Sequence, residues 1–427
     1  MKYNTAWCTT DLLQGEVLMR NTVCCLMCAF LPTLAGVSSG EQSATGKGTA
    51  SIIVEHAGIS PDSAQSLVRQ CYERIFTDKR EDDRLYFPHK RNMAYMYSKW
   101  SESVISTDQA MGMFVCVQLD RKEEFDRLWR YAKKYQYHDE GQWEGYFAYR
   151  VTTGGVVVPK KAGPWASGEA YFVTSLILAD RRWGGGRGIL DYAGEARALL
   201  RHFVEDADTT AEGSLFHREL KVPLLWETWG ATKTVSAHHT PAFYQLWAEW
   251  SDDAEIKEFF SEAARSSREY LKKVSSHSPY RLIPMIINPD GSLNDKHGDS
   301  HHDRFHPASF GAIRQIALDH KWYNPAPWHT EFIDTLMRFF HDKGMDKAGY
   351  VYHIMSGENN TPRDETMPVS LSATIAMLAD AATYEHRGDF ATMSLAVPDD
   401  QSPDLSYLVS LMSMAGMCEV SNLEKTD

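Results

Sequence analysis

From Pro61 to Met417 the chain repeats one pattern, short stretches whose apolar residues recur every three to four positions, separated by Gly, Pro or Asp. That period is the signature of an α-helix with one buried face, and it leaves few folds open. The first long stretch opens at Ser60, an N-cap residue, with Pro61 at the first helical position and Leu67, Cys71 and Ile75 at four-residue steps. Helical patterns follow at 111–119, 122–135, 170–183, 192–203, 241–250, 256–271, 310–320, 330–341, 368–382 and 405–417. Almost nothing alternates at period two, and 155–158 is the one candidate short strand. The expectation is an all-α fold of about ten to twelve helices with minor β content, arranged as inner and outer pairs about an axis, an (α/α)6 barrel. No close internal repeat and no second boundary is visible, so one domain is expected over 59–420.

The remaining 58 residues read differently. Arg20 precedes the apolar run 23–34, and small residues Ala35-Gly36-Val37-Ser38-Ser39 follow. This is the layout of an export signal, with translation starting at Met19 as one option, and it predicts a secreted or periplasmic protein. The run is too short to span a bilayer comfortably. Residues 1–40 are assigned to this leader and 41–58, rich in Ser, Gly and Thr, to a flexible linker.

Composition narrows the function. A formal charge of -13 disfavours nucleic acid and anionic membrane surfaces as partners. Twelve Trp, 20 Tyr and 18 Phe suit either a large core or a cleft that stacks on sugars. Four of the seven Cys fall within the first 28 residues, which leaves neither a disulfide framework nor a zinc ribbon in the body. Gly184-Gly185-Gly186-Arg187-Gly188 follows a helix rather than a strand and lacks the Lys-Ser/Thr of a phosphate loop, so it reads as a helix connection. Ser167 sits in no nucleophile elbow. The cluster His297-Gly298-Asp299-Ser300-His301-His302-Asp303 has no fixed ligand spacing and reads as a polar loop rather than a metal site. No cofactor is expected, and the oligomeric state is not written in the sequence.

Eight short motifs in order then carry a family likeness. Met111-Gly112-Met113 with 117–129 comes first. Gly145-Tyr146-Phe147-Ala148-Tyr149, Gly163-Pro164 with Gly168-Glu169-Ala170-Tyr171-Phe172, and Arg182-Trp183-Gly184 follow. His239-Thr240-Pro241-Ala242-Phe243-Tyr244, Ser267-Arg268-Glu269-Tyr270-Leu271, Leu318-Asp319 with Trp322, and Pro368-Val369 with Ala373-Thr374 complete the set. Together they resemble glycoside hydrolase family 8, and within it the reducing-end xylose-releasing exo-oligoxylanases. The resemblance implies an inverting glycosidase acting on xylo-oligosaccharides. Such chemistry uses a protonated carboxyl to protonate the departing oxygen and an ionised one to activate water, about 6.5–9.5 Å apart.

The resemblance also locates where this chain departs. The acid position falls on Thr107, the central Asp on Ser167 and the base on Ala308. Nearby, Ile105, Met111, Val235, Gly311 and Met367 stand where the family has polar groups. Asp108, Asp299 and Asp303 are the fallback carboxylates, although one residue along a helix turns a side chain by about 100°, which aims Asp108 away from the acid's place. Tyr149, Trp165, Ser167, Glu169 and His239 are candidate sugar contacts. Three readings stand: a sugar-binding homologue with little or no activity, an active glycosidase with relocated carboxylates, and a structural module. Two facing carboxyls in the cleft favour the second, a carboxylate-free aromatic cleft the first, a filled cleft the third.

Overall fold

The computed structural model describes residues 51–420 apart from 80–82, 159–162, 209–213, 226–232, 294–303, 324–325, 348–350, 362–367, 397–402 and 419. The leader, Asp299, Asp303, the rest of the His/Asp cluster and Met367 lie outside the described residues.

Two helices open the domain, α1 (Ile52–Ala57) and α2 (Pro61–Phe76). Pairs α3 (Ser106–Gln118) and α4 (Lys122–Tyr131), α5 (Ala166–Trp183) and α6 (Tyr192–Glu205), and α7 (Pro241–Trp250) and α8 (Ala254–Ser276) follow. Then come α9 (Phe310–Trp322) and α10 (Pro327–Lys343), α11 (Pro368–Ala376) and α12 (Arg387–Ser394), and finally α13 (Leu405–Met414). Helices α3, α5, α7, α9, α11 and α13 each touch the next, and α13 returns to α3, which closes a ring. The others stand outside it, with α2 backing α13, so the fold is the expected (α/α)6 barrel.

Residue patterns assign each helix to its layer. An inner helix is covered on all sides and must be apolar all round; α3 is buried from Gln109 to Gln118 and α5 from Ala166 to Ala179. Outer helices bury one stripe, as α4 does with Phe125, Leu128 and Trp129 and α8 with Ile256, Phe259, Phe260 and Ala263. Ser60 caps α2 through the Ser63 amide, and Asp253 caps α8 through Glu255 and Ile256. Inside the ring, Phe114, Tyr171, Phe243 and Trp322 bring α3, α5, α7 and α9 together with ring centroids 5.0–6.3 Å apart. The Trp247 indole donates to Thr174 at 2.9 Å, fixing α7 on α5. Arg268 of α8 grips Asp319 of α9 through both Nε and a terminal nitrogen, at 2.9 and 2.7 Å.

Short antiparallel ladders lead into the inner helices. β1 (Tyr86–His89) pairs with β2 (Met93–Met96), and β3 (Val104–Ile105), which runs straight into α3, pairs with β4 (Arg150–Val151). β5 (Thr234–Val235), before α7, pairs with β6 (Ile286–Ile287). β7 (Arg304–Phe305), before α9, pairs with β8 (Val351–His353), which pairs with β9 (Asn359–Thr361).

Four local expectations change. The segment assigned to a flexible linker contains α1, whose Ile52 and Ile53 are buried. The strand expected at 155–158 is a turn with a single bridge from Val157 to Val151. Regular α-helix stops at Tyr131 and gives way to a π turn over Ala132–Gln136, and α11 ends at Ala376 rather than 382.

Candidate active site

Five inner helices, α3, α5, α9, α11 and α13, and the turn before α7 line one cavity of about 310 Å³. Thr107, Asp108 and Met111 come from α3, Ser167 and Tyr171 from α5, and Ala237 from the turn before α7. Pro307, Ala308, Phe310, Gly311, Arg314 and Gln315 form the α9 side, Ser370, Leu371 and Thr374 the α11 side, and Asp404 and Ser406 the α13 side. Backbone amides at helix starts face inward, so the cavity carries a positive potential from the protein frame itself.

The sequence-assigned positions Thr107, Ser167 and Ala308 meet here, from three different helices. The Thr107 and Ser167 hydroxyl oxygens lie 3.4 Å apart. That approach rests on Gly168: a Cβ there would stand 2.5 Å from the Ser106 hydroxyl, so only glycine lets α5 start this close to α3. At Gly311 a Cβ would come within 2.6 Å of the Ala237 Cβ, so no side chain enters the cavity from that position without movement of Ala237.

Asp108 lines the cavity too, contrary to the expected turn away from it. The 100° rotation argument applies to the side of a helix, whereas this cavity sits over the helix start. In the first turn every Cα–Cβ bond leans toward the N-terminus, so consecutive residues address the same space. Burial pushes the Asp108 carboxyl up to about 7, with Asp404 adding to the rise and the Ser98 hydroxyl and Arg314 opposing it. Asp404 is also raised by burial, against the Tyr407 amide, Arg314 and Ser370, and its Oδ1 accepts from Tyr407 N at 2.7 Å and from Ser370 at 3.2 Å.

Of the five expected sugar contacts, Ser167 alone lines the cavity. Glu169 is fully buried and accepts the Phe147 amide at 2.7 Å; burial holds its carboxyl well above the usual range, so it is a neutral brace under the 145–149 segment. His239 is also fully buried, held between Thr234 at 3.2 Å and Ser267 at 3.1 Å, and stacked on Tyr270 at 3.6 Å. Tyr149 and Trp165 are half-buried and packed together at 4.9 Å, flanking the starts of α3 and α5 rather than lining the cavity. Trp165 rests against the edge of His238, whose ring burial keeps neutral by pushing it down to about 3.

Arg314, Gln315 and Asp404 were not singled out by sequence. Asp404 reads there as an ordinary cap for the helix that follows, and Arg314 as one stray cation in an apolar run.

No family model matches the chain. Among curated proteins, the reducing-end xylose-releasing exo-oligoxylanase Rex8A of Paenibacillus barcinonensis is 31% identical over 343 residues, covering 78% of this chain and 86% of that protein. The enzyme of the same description from Halalkalibacterium halodurans is 32% identical over 324 residues, covering 75% and 79%. Among solved structures, a mutant of a reducing-end-xylose releasing exo-oligoxylanase superposes with a TM-score of 0.77 at 28% identity, over 87% of this chain and 96% of that one. A mutant of Rex8A complexed with an arabinofuranosyl-xylotetraose gives 0.78 at 26%, over 88% and 97%. With the closed six-helix ring, the eight motifs and these relatives in agreement, the chain belongs to the reducing-end xylose-releasing exo-oligoxylanases of glycoside hydrolase family 8.

Proposed function

We propose that this member of the family binds xylo-oligosaccharides in the central cavity and does not carry out the family's inverting hydrolysis. One observation carries the reading: Thr107, Ser167 and Ala308, the positions to which the resemblance assigns acid, central support and base, line the same cavity and bear no carboxyl group. A hydroxyl cannot serve as general acid near neutral pH, and alanine has no proton to exchange. Proton transfer by a positioned acid or base is worth about 10²–10⁴-fold for each group. Binding does not need those groups, because stacking on a sugar face is an apolar contact; Tyr149 and Trp165 are the rings beside the cavity for it. Complexes of related proteins with xylobiose and with a branched xylotetraose support the ligand class. The open cavity weighs against a purely structural role.

A second reading has its own observation. The cavity is not free of carboxylates, since Asp108 and Asp404 both line it, and a carboxyl raised to about 7 suits a proton donor. In that case the chain is a glycosidase with relocated groups. Xylose release from xylotriose by chromatography, alongside calorimetric titration of the same sugar, separates the two: binding without release supports the first, and release abolished by Asp108→Asn or Asp404→Asn supports the second. Residues 1–40 further suggest export to the periplasm or medium, which N-terminal sequencing of the native protein tests.

A further inference from the structure

Arg314 is 8% exposed, lines the cavity, and among the described residues takes part in no ion pair. Its Nε has no partner, and the Tyr171 hydroxyl is its hydrogen-bonding neighbour. A guanidinium so enclosed ordinarily has a carboxylate fixed on it, as Arg268 of α8 has Asp319 of α9. The two carboxylates of the cavity do not take that place. Asp404 has Oδ1 committed to the start of α13, and Asp108 answers Arg314 only through the field between them.

We propose that Arg314 receives a carboxylate carried by the ligand, so the preferred ligand class is a xylo-oligosaccharide bearing a uronic acid substituent. This rests on the reading of the cavity as a xylo-oligosaccharide site. The planar fork of an arginine matches a carboxylate with two parallel hydrogen bonds, which a neutral hydroxyl does not reproduce. The starts of the five helices that line the cavity favour a negative group in the same space. Thr107, Ser167 and Ala308 add no charge against it. Among the described residues the opposing charges are Asp108 from α3 and Asp404 from α13; Tyr171 from α5 is held neutral by burial. Asp108 is mostly protonated at about pH 6, where it donates a hydrogen bond to an incoming carboxylate instead of repelling it. Acidic sugars therefore bind more weakly as pH rises past Asp108, whereas neutral sugars do not follow that trend.

Calorimetric titration of the full chain with xylotriose, and with xylotriose carrying one glucuronosyl branch, tests this. At about pH 6 the acidic sugar is expected to bind about tenfold more tightly than the neutral one. Arg314→Met should weaken the acidic sugar more than xylotriose and abolish the difference between the two, and Arg314→Lys should keep part of the preference. Raising the pH to about 8.5 should erode the preference in the unmodified protein. Equal affinity of the unmodified protein for both sugars overturns the inference and leaves the sugar-binding reading intact. Binding of neither sugar overturns both. The comparison of the two sugars on the unmodified protein needs no variant, so a poorly folded Arg314→Met does not weaken it.

Discussion

Arg314 and Asp319 lie on the same helix, one facing the cavity where the barrel opens and the other in its packed body. In the body, Asp319 is 3% exposed and held by two nitrogens of Arg268. In the cavity, Arg314 has no ion pair among the described residues, and burial pushes the Asp108 carboxyl up to about 7. A buried charge is tolerable only with its hydrogen bonds made. The body meets that condition internally; the cavity leaves it to something that enters. The same division runs through other positions: His239 in the body is held by Thr234 and Ser267, whereas Thr107, Ser167 and Ala308 line the cavity.

Restoring the cavity should produce the largest effect. Thr107→Glu with Ala308→Asp, and Ser167→Asp as a third change, return a donor, a base and the central support. Acid and base act as a unit, so each single change should release almost no xylose from xylotriose, while the combination exceeds the sum of the singles by orders of magnitude. The absolute rate should stay low, because a misplacement of about 1 Å can cost about 10²-fold, and at Gly311 the neighbouring Ala237 blocks the family's side chain.

Breaking the body comes next. Asp319→Ala strands Arg268 and should cost on the order of 3 kcal/mol in urea unfolding, with sugar binding unaltered in the fraction that remains folded. A loss as small as that of a surface substitution would erase the distinction between the two regions.

Asp108 sharpens it further through pH. Its carboxyl releases a proton near 3.8 when unfolded and near 7 when folded. Unfolding therefore releases a proton between those values, and stability falls as pH rises from about 4 to about 7. Asp108→Asn removes that fall, so above pH 7 the variant should be the more stable protein by on the order of 4 kcal/mol. A parallel pH profile for the two proteins would contradict the buried, unpaired state assigned to Asp108.

The smallest effect belongs to Thr107→Ala. Among the described residues its side-chain hydrogen bond is the long 3.4 Å approach to Ser167, so stability should change by no more than about 0.5 kcal/mol.

The barrel was legible because helix periodicity survives in every layer: inner helices as continuous apolar runs, outer ones as stripes. Helix α1 escaped because six residues are too few to show a period, and its Ile52 and Ile53 lie at the end of a Ser- and Gly-rich stretch. In the cavity, motif register picked out Thr107, Ser167 and Ala308, which line one space. Register says nothing about depth, however, so Glu169 and His239 were expected at the ligand and stand in the core. Asp108 was misjudged by applying side-of-helix geometry to a helix start. Arg314 and Asp404 share the cavity although they lie 90 positions apart in sequence, and only closure of the ring brings α9 and α13 to it.

Xylose release from xylotriose by the unmodified chain is the most direct test of a site that binds without hydrolysing. Saturable binding in calorimetry with no xylose formed above the uncatalysed background is the expected result. Turnover at an ordinary glycosidase rate, lost in Asp108→Asn or Asp404→Asn, would contradict it and assign the chemistry to the relocated carboxylates.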